Sequence, residues 1–232
     1  LISIYRYFYY IYAKFKFYKL SNKKIFSKIY KDKMWGYDYG SVYYSGYGSN
    51  NNIIVNEFIL SIKNFFEEIK IKPKILDIGC GDFEVGKNIY PFSSEYTACD
   101  IVPELIEYNK TKFNYPNLRF LCFDATNNKD LPKSDVVLLR QVLQHLCNSQ
   151  IKIILDKIKG NFKYLILSEH IPINKFIPNK DIHTGDLSRV FINSGIDIEK
   201  KPFNYKFKKK IILNEVFEKE GKVQTIVFKL DE

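Results

Sequence analysis

The sequence lacks the paired cysteines that would indicate a disulfide framework or a zinc site. Its four cysteines, Cys80, Cys99, Cys122 and Cys147, stand in or beside apolar runs and show no paired spacing. Such residues are typical of the reduced core of a cytosolic protein. Disulfide-rich secreted scaffolds and zinc ribbons are therefore disfavoured, and we expect a cytoplasmic location.

Two further absences narrow the possibilities. His170, His183 and Asp186 have no tight ligand spacing, so no metal site is predicted. No run approaches the roughly 20 apolar residues needed to cross a bilayer. Residues 1–12 are apolar and aromatic, but Arg6 interrupts them and no small-residue cleavage site follows, so a signal peptide is not expected.

Acidic residues are nearly missing from the first 34 residues. This segment contains nine basic residues and a single acid, Asp32, so it accounts for +8 of the formal net charge of +10. The rest of the chain is close to neutral, which disfavours a groove that tracks a phosphate backbone. The basic, aromatic segment has two interpretations. It lies on an anionic membrane surface, or it packs aromatic side chains on the body and turns its lysines to water.

We divide the chain into an N-terminal arm and lid, residues 1–50, and a domain of residues 51–232. The end of the first part, residues 35–49, is dense in Gly, Ser and Tyr, which predicts a flexible loop. Tyr43 and Tyr44 in this loop either close over a substrate or tuck into an ordinary loop.

A glycine-containing turn follows the first predicted strand, residues 74–78. Gly79 and Gly81 lack Cβ atoms, so the backbone can turn tightly and let a ligand lie against it. Glu84 stands where the dinucleotide fingerprint needs a third glycine, and the chain has no Gly-Lys-Ser/Thr. Dinucleotide and P-loop binding are therefore disfavoured, and the turn predicts a different cofactor site.

Acidic residues stand at or near the ends of three consecutive predicted strands: Asp77, Asp100 and Asp124. Asp100 follows the glycine turn by about twenty residues, where a carboxylate can accept hydrogen bonds from both ribose hydroxyls of a nucleoside. Asp100 could equally cap the helix that follows, and Asp124 could be a turn residue. The three acids together strengthen the cofactor prediction more than the glycines do.

The fourth predicted strand leads into Arg140. If a helix begins near Gln141, then Gln141 and His145 share one face beside the cleft. His145 could take a proton from a substrate hydroxyl, because its unperturbed pKa lies near neutrality. Arg140 could grip a phosphate or a carboxylate. The alternatives are a capping or core-edge histidine and a surface arginine.

The segment Leu76-Asp77-Ile78-Gly79-Cys80-Gly81 resembles the first motif of class I S-adenosylmethionine (SAM) dependent methyltransferases. The resemblance implies SAM as cofactor and an α/β, Rossmann-like fold. The implied sheet is mostly parallel and seven-stranded, with helices on both faces and a C-terminal antiparallel hairpin. Residues 210–217 and 222–230 read as the two strands of that hairpin. The resemblance also implies that Asp124 lies beside the adenine of the cofactor. The predicted cofactor-binding residues are Asp77, Gly79, Gly81, Asp100, Ile101, Asp124, Ala125 and Gln141.

Further segments resemble bacterial methyltransferases encoded with surface-polysaccharide genes. These segments are residues 80–83 and 140–146, Asp181 with Thr184-Gly185, and residues 202–204. In that group the fourth strand is usually followed by Arg-Asp-x-x-x-His-Leu, whereas Gln141 replaces the acid here and leaves His145 alone. The group's Trp-Arg after Thr-Gly is also missing. The resemblance implies O-methylation of a small phosphorylated or sugar-linked precursor of a capsular polysaccharide, including formation of an O-methyl phosphoramidate group.

Three functions compete at this point. The first is the small-molecule O-methyltransferase, with Arg140, His145, Tyr43 and Tyr44 as catalytic candidates, no nucleic-acid partner and peripheral membrane contact through the arm. The second is an RNA methyltransferase that grips RNA with the arm. Against it, Arg140-Gln141 stands where enzymes that methylate base amines have Asn/Asp-Pro-Pro-Tyr. The third is a non-catalytic SAM-binding partner protein.

Overall fold

The computed structural model describes residues 8–9, 11–12, 15–218 and 220–230. The expectation for Arg6, with the rest of residues 1–7, lies outside the described residues. The described helices are α1 (Asn22–Lys31), α2 (Tyr47–Asn50), α3 (Asn52–Glu68), α4 (Gly86–Ile89), α5 (Pro103–Lys112) and α6 (Asn148–Ile158). The described strands are β1 (Lys74–Ile78), β2 (Glu95–Asp100), β3 (Leu118–Cys122), β4 (Val136–Arg140), β5 (Tyr164–Ile171), β6 (Lys209–Phe217) and β7 (Lys222–Lys229).

Local sequence explains where the longest helix begins and which side it buries. Asn51 is the N-cap of α3, and its Oδ1 accepts hydrogen bonds from the backbone N–H groups of Ile53 and Ile54. Buried apolar side chains then recur at helical spacing along α3, including Phe58 and Ile62. One side of α3 therefore packs on the sheet.

The seven strands form one sheet in the order β3-β2-β1-β4-β5-β7-β6. Strands β1 to β5 pair in parallel, and β7 pairs antiparallel with both β5 and β6. The predicted mostly parallel sheet with a C-terminal hairpin is confirmed. The strand order reverses between β1 and β4, and in open parallel sheets the crevice at such a point is where ligands bind.

Two apolar cores lie on opposite faces of the sheet. Along β4, Val136 and Leu138 join the core that contains residues of α3 and α5, while Val137 and Leu139 join the core that contains residues of α6. This alternation follows from the two-residue period of a strand buried on both faces. Helices therefore cover both faces, as predicted.

Two local predictions are wrong. No helix starts at Gln141: its amide still donates to Ser168 O on β5 at 2.7 Å, and the chain then turns sharply through a left-handed backbone at Gln141, φ +55°. Only a single 3-10 turn follows, Leu143–His145. Cys122 is exposed rather than part of the core, because it ends the edge strand β3.

The helices in the described part of the chain include none that is both long enough and apolar enough to span a bilayer.

Candidate active site

A cleft lies at the carboxyl ends of β1, β2 and β4, beneath α1 and residues 35–50. It encloses about 1120 Å³, part of it open to solvent. We call the strand-end side, formed by the glycine turn with Asp100 and Asp124, the floor, and we call α1 with residues 35–50 the roof. The lining includes every predicted cofactor residue, namely Asp77, Gly79, Gly81, Asp100, Ile101, Asp124, Ala125 and Gln141.

The glycine turn needs glycine at both predicted positions. Gly79 and Gly81 have φ of +76° and +57°, which side chains with a Cβ rarely adopt. A Cβ on Gly81 would also clash with Ser45 Oγ, and one on Gly79 would clash with a methyl group of Val142. The turn is fixed to the neighbouring strand, since Gly79 N donates to Cys99 O at 2.8 Å. The backbone itself therefore forms this part of the floor.

Asp100 joins the end of β2 to the glycine turn. Its Oδ2 accepts the Gly81 amide at 3.1 Å and its Oδ1 accepts the Val102 amide at 3.1 Å. These bonds leave acceptor capacity on both oxygens. Val102 occupies the N-cap position of α5 and makes no side-chain capping hydrogen bond. Asp100 is therefore not the N-cap residue of that helix. Burial raises the pKa of Asp100 to about 6.

Asp77 lies beneath the turn and is shielded from water. It accepts a hydrogen bond from Tyr96 Oη at 2.9 Å. Burial raises the pKa of Asp77 to about 7, although the Tyr96 bond and the positive charge of Arg140 oppose that shift. Asp82 is also buried, and burial raises its pKa as well. Asp77, Asp82 and Asp100 all line the cleft, so a bound cation would favour their ionised forms.

Asp124 forms a turn that anchors the roof. Its Oδ1 accepts hydrogen bonds from Thr126 N at 2.8 Å and from Thr126 Oγ1 at 2.6 Å. Asn22, at the start of α1, donates to Thr126 Oγ1 at 3.0 Å and accepts from Gln150 at 2.9 Å. Asp124 is therefore a turn residue that also lines the cleft.

The second anchor of the roof is a reciprocal pair. Ser45 N donates to Asp82 Oδ2 at 3.1 Å, and Asp82 N donates to Ser45 Oγ at 2.9 Å. Tyr30, near the end of α1, lies within 3.1 Å of the same Ser45 Oγ. The predicted flexible loop is therefore held against the glycine turn by long-range hydrogen bonds.

The two lid tyrosines do not line the cleft. The ring of Tyr43 lies 5.8 Å from that of Tyr30 and 5.2 Å from that of Tyr108, and Tyr44 packs against Gly36. Aromatic side chains from elsewhere in the roof line the cleft instead: Phe26, Tyr30 and Trp35. The substrate contacts predicted for Tyr43 and Tyr44 stay a prediction.

Arg140 lines the cleft, but its terminal nitrogens hold the roof. Nη1 donates to Ser49 Oγ at 3.0 Å and Nη2 to Gly48 O at 2.6 Å, while the guanidinium lies over the ring of Phe58. Burial lowers the pKa of Arg140 to about 10, so it is still a cation at neutral pH. Arg140 Nε and Gln141 Nε2 are buried and have no hydrogen-bond partner among the described residues. Both residues line the cleft.

His145 lines the cleft through the 3-10 turn rather than a helix. Its Nδ1 lies 3.2 Å from Leu187 O, and its Nε2 lies 3.2 Å from Gln144 Nε2. The carbonyl assigns the proton to Nδ1, which leaves Nε2 as an acceptor beside the Gln144 amide. Trp35 covers the ring at 5.0 Å, and burial lowers the pKa of His145 to about 4. His145 is therefore neutral at pH 7 and a weak base.

Two buried ionisable side chains hold the turn that carries His145. Glu169, on β5, accepts the amides of Leu143 at 2.9 Å and Gln144 at 3.1 Å. Arg189 donates to Leu143 O at 2.9 Å. Burial raises the pKa of Glu169 to about 8. Sequence reasoning assigned no role to Glu169, because the pairing of β5 with the turn spans 26 residues and leaves no local pattern.

The segment with Asp181 and Thr184-Gly185 braces the same turn. Gly185 N donates to His145 O at 3.0 Å, and Thr184 Oγ1 accepts the amide of Cys147 at 3.0 Å. Asp181 accepts the first amide of α6, that of Asn148, at 2.7 Å. The described residues contain no group of three His, Cys, Asp or Glu side chains that could hold a metal ion.

Comparison with known proteins finds similarity to methyltransferases over part of the chain. Residues 76–163 match the family described as a methyltransferase domain. Over 78 residues the chain is 35% identical to the malonyl-[acyl-carrier protein] O-methyltransferase of Acetivibrio thermocellus. That match covers 32% of this chain and 27% of the relative, so it spans about a quarter of the relative's length.

Solved structures with the same fold cover nearly the whole chain. The N-methyltransferase NodS from Bradyrhizobium japonicum, in complex with S-adenosyl-L-homocysteine, superposes with a TM-score of 0.61 at 11% identity and covers 88% of this chain and 100% of its own. The magnesium protoporphyrin IX methyltransferase ChlM from Synechocystis, with bound SAM, gives 0.57 at 15% identity and covers 91% and 99%. At these identities the likeness establishes the fold.

Proposed function

Since residues 76–163 match a family described as a methyltransferase domain, we propose that this chain transfers a methyl group from SAM to an oxygen atom of a small anionic acceptor. The acceptor class we favour is a phosphorylated or sugar-linked precursor of a surface polysaccharide, and a phosphoryl or phosphoramidate oxygen within it. The sequence resemblance to methyltransferases of surface-polysaccharide gene clusters supports the pathway. The arrangement of the cleft supports the chemistry.

The residues of the floor fit the cofactor. Bound SAM supplies an electrophilic methyl group on a sulfonium centre, and the molecule carries a net positive charge. The glycine turn gives it backbone to lie against, and Asp100 has acceptor capacity for its ribose hydroxyls. Asp77 and Asp82 offer negative charge to its cationic groups.

The observation that carries the acceptor proposal is the pair of buried, unpartnered donors, Arg140 Nε and Gln141 Nε2. A buried donor without a partner costs about 1–3 kcal/mol, so an acceptor that supplies oxygen atoms to both would relieve that cost. Anionic oxygens suit a guanidinium best. The roof limits the size of such an acceptor, because α1 and residues 35–50 lie directly on the glycine turn.

The state of His145 favours an acceptor that needs no strong base. A hydroxyl must lose its proton as it is methylated, and a histidine with a pKa of about 4 is a poor proton acceptor at neutral pH. An oxygen of a phosphate, phosphoramidate or carboxylate is already an anion. With such an acceptor, Trp35 and His145 would orient the molecule and exclude water, and positioning would supply much of the rate.

A second candidate is methylation of a carboxylate. The 35% identical relative is a malonyl-[acyl-carrier protein] O-methyltransferase, and a carboxylate satisfies the same two donors. The roof disfavours methylation of RNA. A base that is part of an RNA strand would have to enter beneath the loop that the pairing of Ser45 with Asp82 holds in place.

The test is to follow labelled methyl from SAM into a cell extract separated into small molecules, polysaccharide, RNA and protein. We expect the label in small phosphorylated or sugar-linked molecules, in a bond that is stable to mild base. Loss of the label as methanol in mild base would indicate a carboxylate ester instead. Label in RNA would overturn the proposal, and SAM binding without any transfer would favour the non-catalytic partner protein.

A further inference from the structure

The N-terminal arm has one face that packs on the body. Phe17 is fully buried, against Gly185. Tyr9 Oη donates to Asp186 Oδ2 at 3.2 Å, and Lys16 Nζ lies 3.8 Å from the same oxygen. The interpretation that the arm packs its aromatic side chains on the body therefore holds for this face.

Beside that face the arm carries aromatic side chains that the body leaves exposed. Tyr12, Phe15 and Tyr18 are 57%, 71% and 62% exposed. Tyr12 and Phe15 lie in helical backbone, three residues apart, so they share a side, and Tyr18 continues the spacing in the turn that follows. We call these three residues the aromatic patch. Exposed large apolar side chains that gather in this way mark an interaction surface.

Exposed lysines follow the aromatic patch along the chain. Lys19, Lys23 and Lys24 are exposed, and no carboxylate of the described residues lies within 4 Å of any of them. Lys28, further along α1, differs because it pairs with Asp32. The lysines of the patch region therefore keep their charge available to a partner outside the chain.

We propose that the aromatic patch and these lysines bind an anionic lipid surface. Tyr and Phe rings suit the boundary between headgroups and acyl chains, and each lysine near an anionic leaflet contributes favourably to binding. The first 34 residues carry +8 of the net charge of +10, so most of the net charge that would attract such a surface lies in this segment. RNA is the less favoured occupant, because the chain beyond residue 34 has a net charge of only +2.

The proposal does not depend on which acceptor is methylated. It has a consequence for the cleft, because α1 begins a few residues after the patch and its Asn22, Phe26 and Tyr30 line the cleft. Binding through the patch would place the roof beside the bilayer.

The test is co-sedimentation of the full chain with vesicles of phosphatidylcholine alone or of phosphatidylcholine mixed with phosphatidylserine. Two triple variants are compared with the unaltered chain: Tyr12→Ser with Phe15→Ser and Tyr18→Ser, and Lys19→Gln with Lys23→Gln and Lys24→Gln. A control replaces three exposed lysines before β6, namely Lys200→Gln with Lys201→Gln and Lys206→Gln. Thermal unfolding of each variant verifies that it folds.

We expect binding to the phosphatidylserine vesicles that weakens with added salt and that falls by at least about tenfold in each arm variant but not in the control. Absence of binding to these vesicles by the unaltered chain would overturn the proposal. So would an equal loss in the lysine control, or a single-stranded RNA that displaces the chain from the vesicles while binding through the same residues.

Discussion

The floor and the roof of the cleft are built by different means. The floor is held by backbone and by side chains that act close to their own strand, as when Asp100 accepts the Gly81 and Val102 amides. The roof is held by contacts between distant parts of the chain: Ser45 with Asp82, and Trp35 Nε1 with Asp186 O at 3.1 Å. The floor therefore fits a cofactor shared by many proteins, and the roof is where this chain can differ from its relatives.

The two regions also differ in charge. The floor gathers buried carboxyl groups whose pKa burial raises, Asp77 to about 7 and Asp100 to about 6. The roof presents aromatic rings and is tied to a buried cation, Arg140. If the floor binds SAM and the roof selects the acceptor, substitutions in the two regions will separate SAM affinity from acceptor turnover.

The largest separation is expected from Arg140→Gln. The variant removes the buried positive charge and its two bonds to the roof, so we expect kcat/KM for the acceptor to fall by about a hundredfold, consistent with losing charged hydrogen bonds. SAM affinity should change by less than about threefold. The measurement is methyl transfer to the labelled acceptor fraction together with calorimetric binding of SAM.

Arg119→Gln is the matched control, because Arg119 is exposed on β3 and remote from the cleft lining. Equal losses in SAM affinity and turnover for Arg140→Gln would show that the floor and the roof are not separable at this residue.

A smaller effect is expected from His145→Gln. Since burial holds the pKa of His145 at about 4, its role as general base is disfavoured, and turnover at pH 7 should fall by less than the roughly hundredfold that general-base catalysis supplies at minimum. The pH dependence of turnover in the unaltered chain should show no step near the ordinary histidine pKa. A loss of turnover of about a thousandfold, together with a pH step near the ordinary histidine pKa in the unaltered chain only, would show that His145 is a general base.

The smallest separation is expected from Glu169→Gln, which alters the side chain that holds the turn carrying His145. The pKa of Glu169 rises from 4.5 to about 8 on folding, so the folded chain keeps a proton that the unfolded chain has lost. Its contribution to stability is full below pH 4.5 and declines as pH rises to about 8. The fall in thermal midpoint across that window should be smaller in the variant by about 10 °C.

The relevant quantity is the difference in thermal midpoint between Glu169→Gln and the unaltered chain at each pH, because other groups titrate in the same pH range. Asp77 and Asp100 also have raised pKa values and change stability in the same direction, while the lowered pKa of His145 changes it in the opposite one. Parallel curves for Glu169→Gln and the unaltered chain would mean that Glu169 is ionised in the folded state.

Sequence reasoning identified the floor because each part of it follows from a local rule. A strand, a glycine turn and an acid at the next strand end are visible within short windows, and the parallel sheet brings them together. It missed the pairing of Ser45 with Asp82 and the hydrogen bond from the Leu143 amide to Glu169. Side-chain contacts across 26 to 37 residues leave no periodic signal in the sequence. It also began a helix near Gln141, where the bond of the Gln141 amide to Ser168 O keeps the backbone in the strand before the chain turns.

Direct binding of SAM tests whether the floor is the cofactor site. Calorimetric titration of SAM into the unaltered chain should give one site, and Asp100→Ala should weaken binding by at least about tenfold through lost hydrogen bonds to the ribose and lost support of the glycine turn. His145→Gln, altered on the other side of the cleft, should bind SAM normally. If SAM fails to bind the unaltered chain, or binds Asp100→Ala with unchanged affinity, the floor is not the cofactor site.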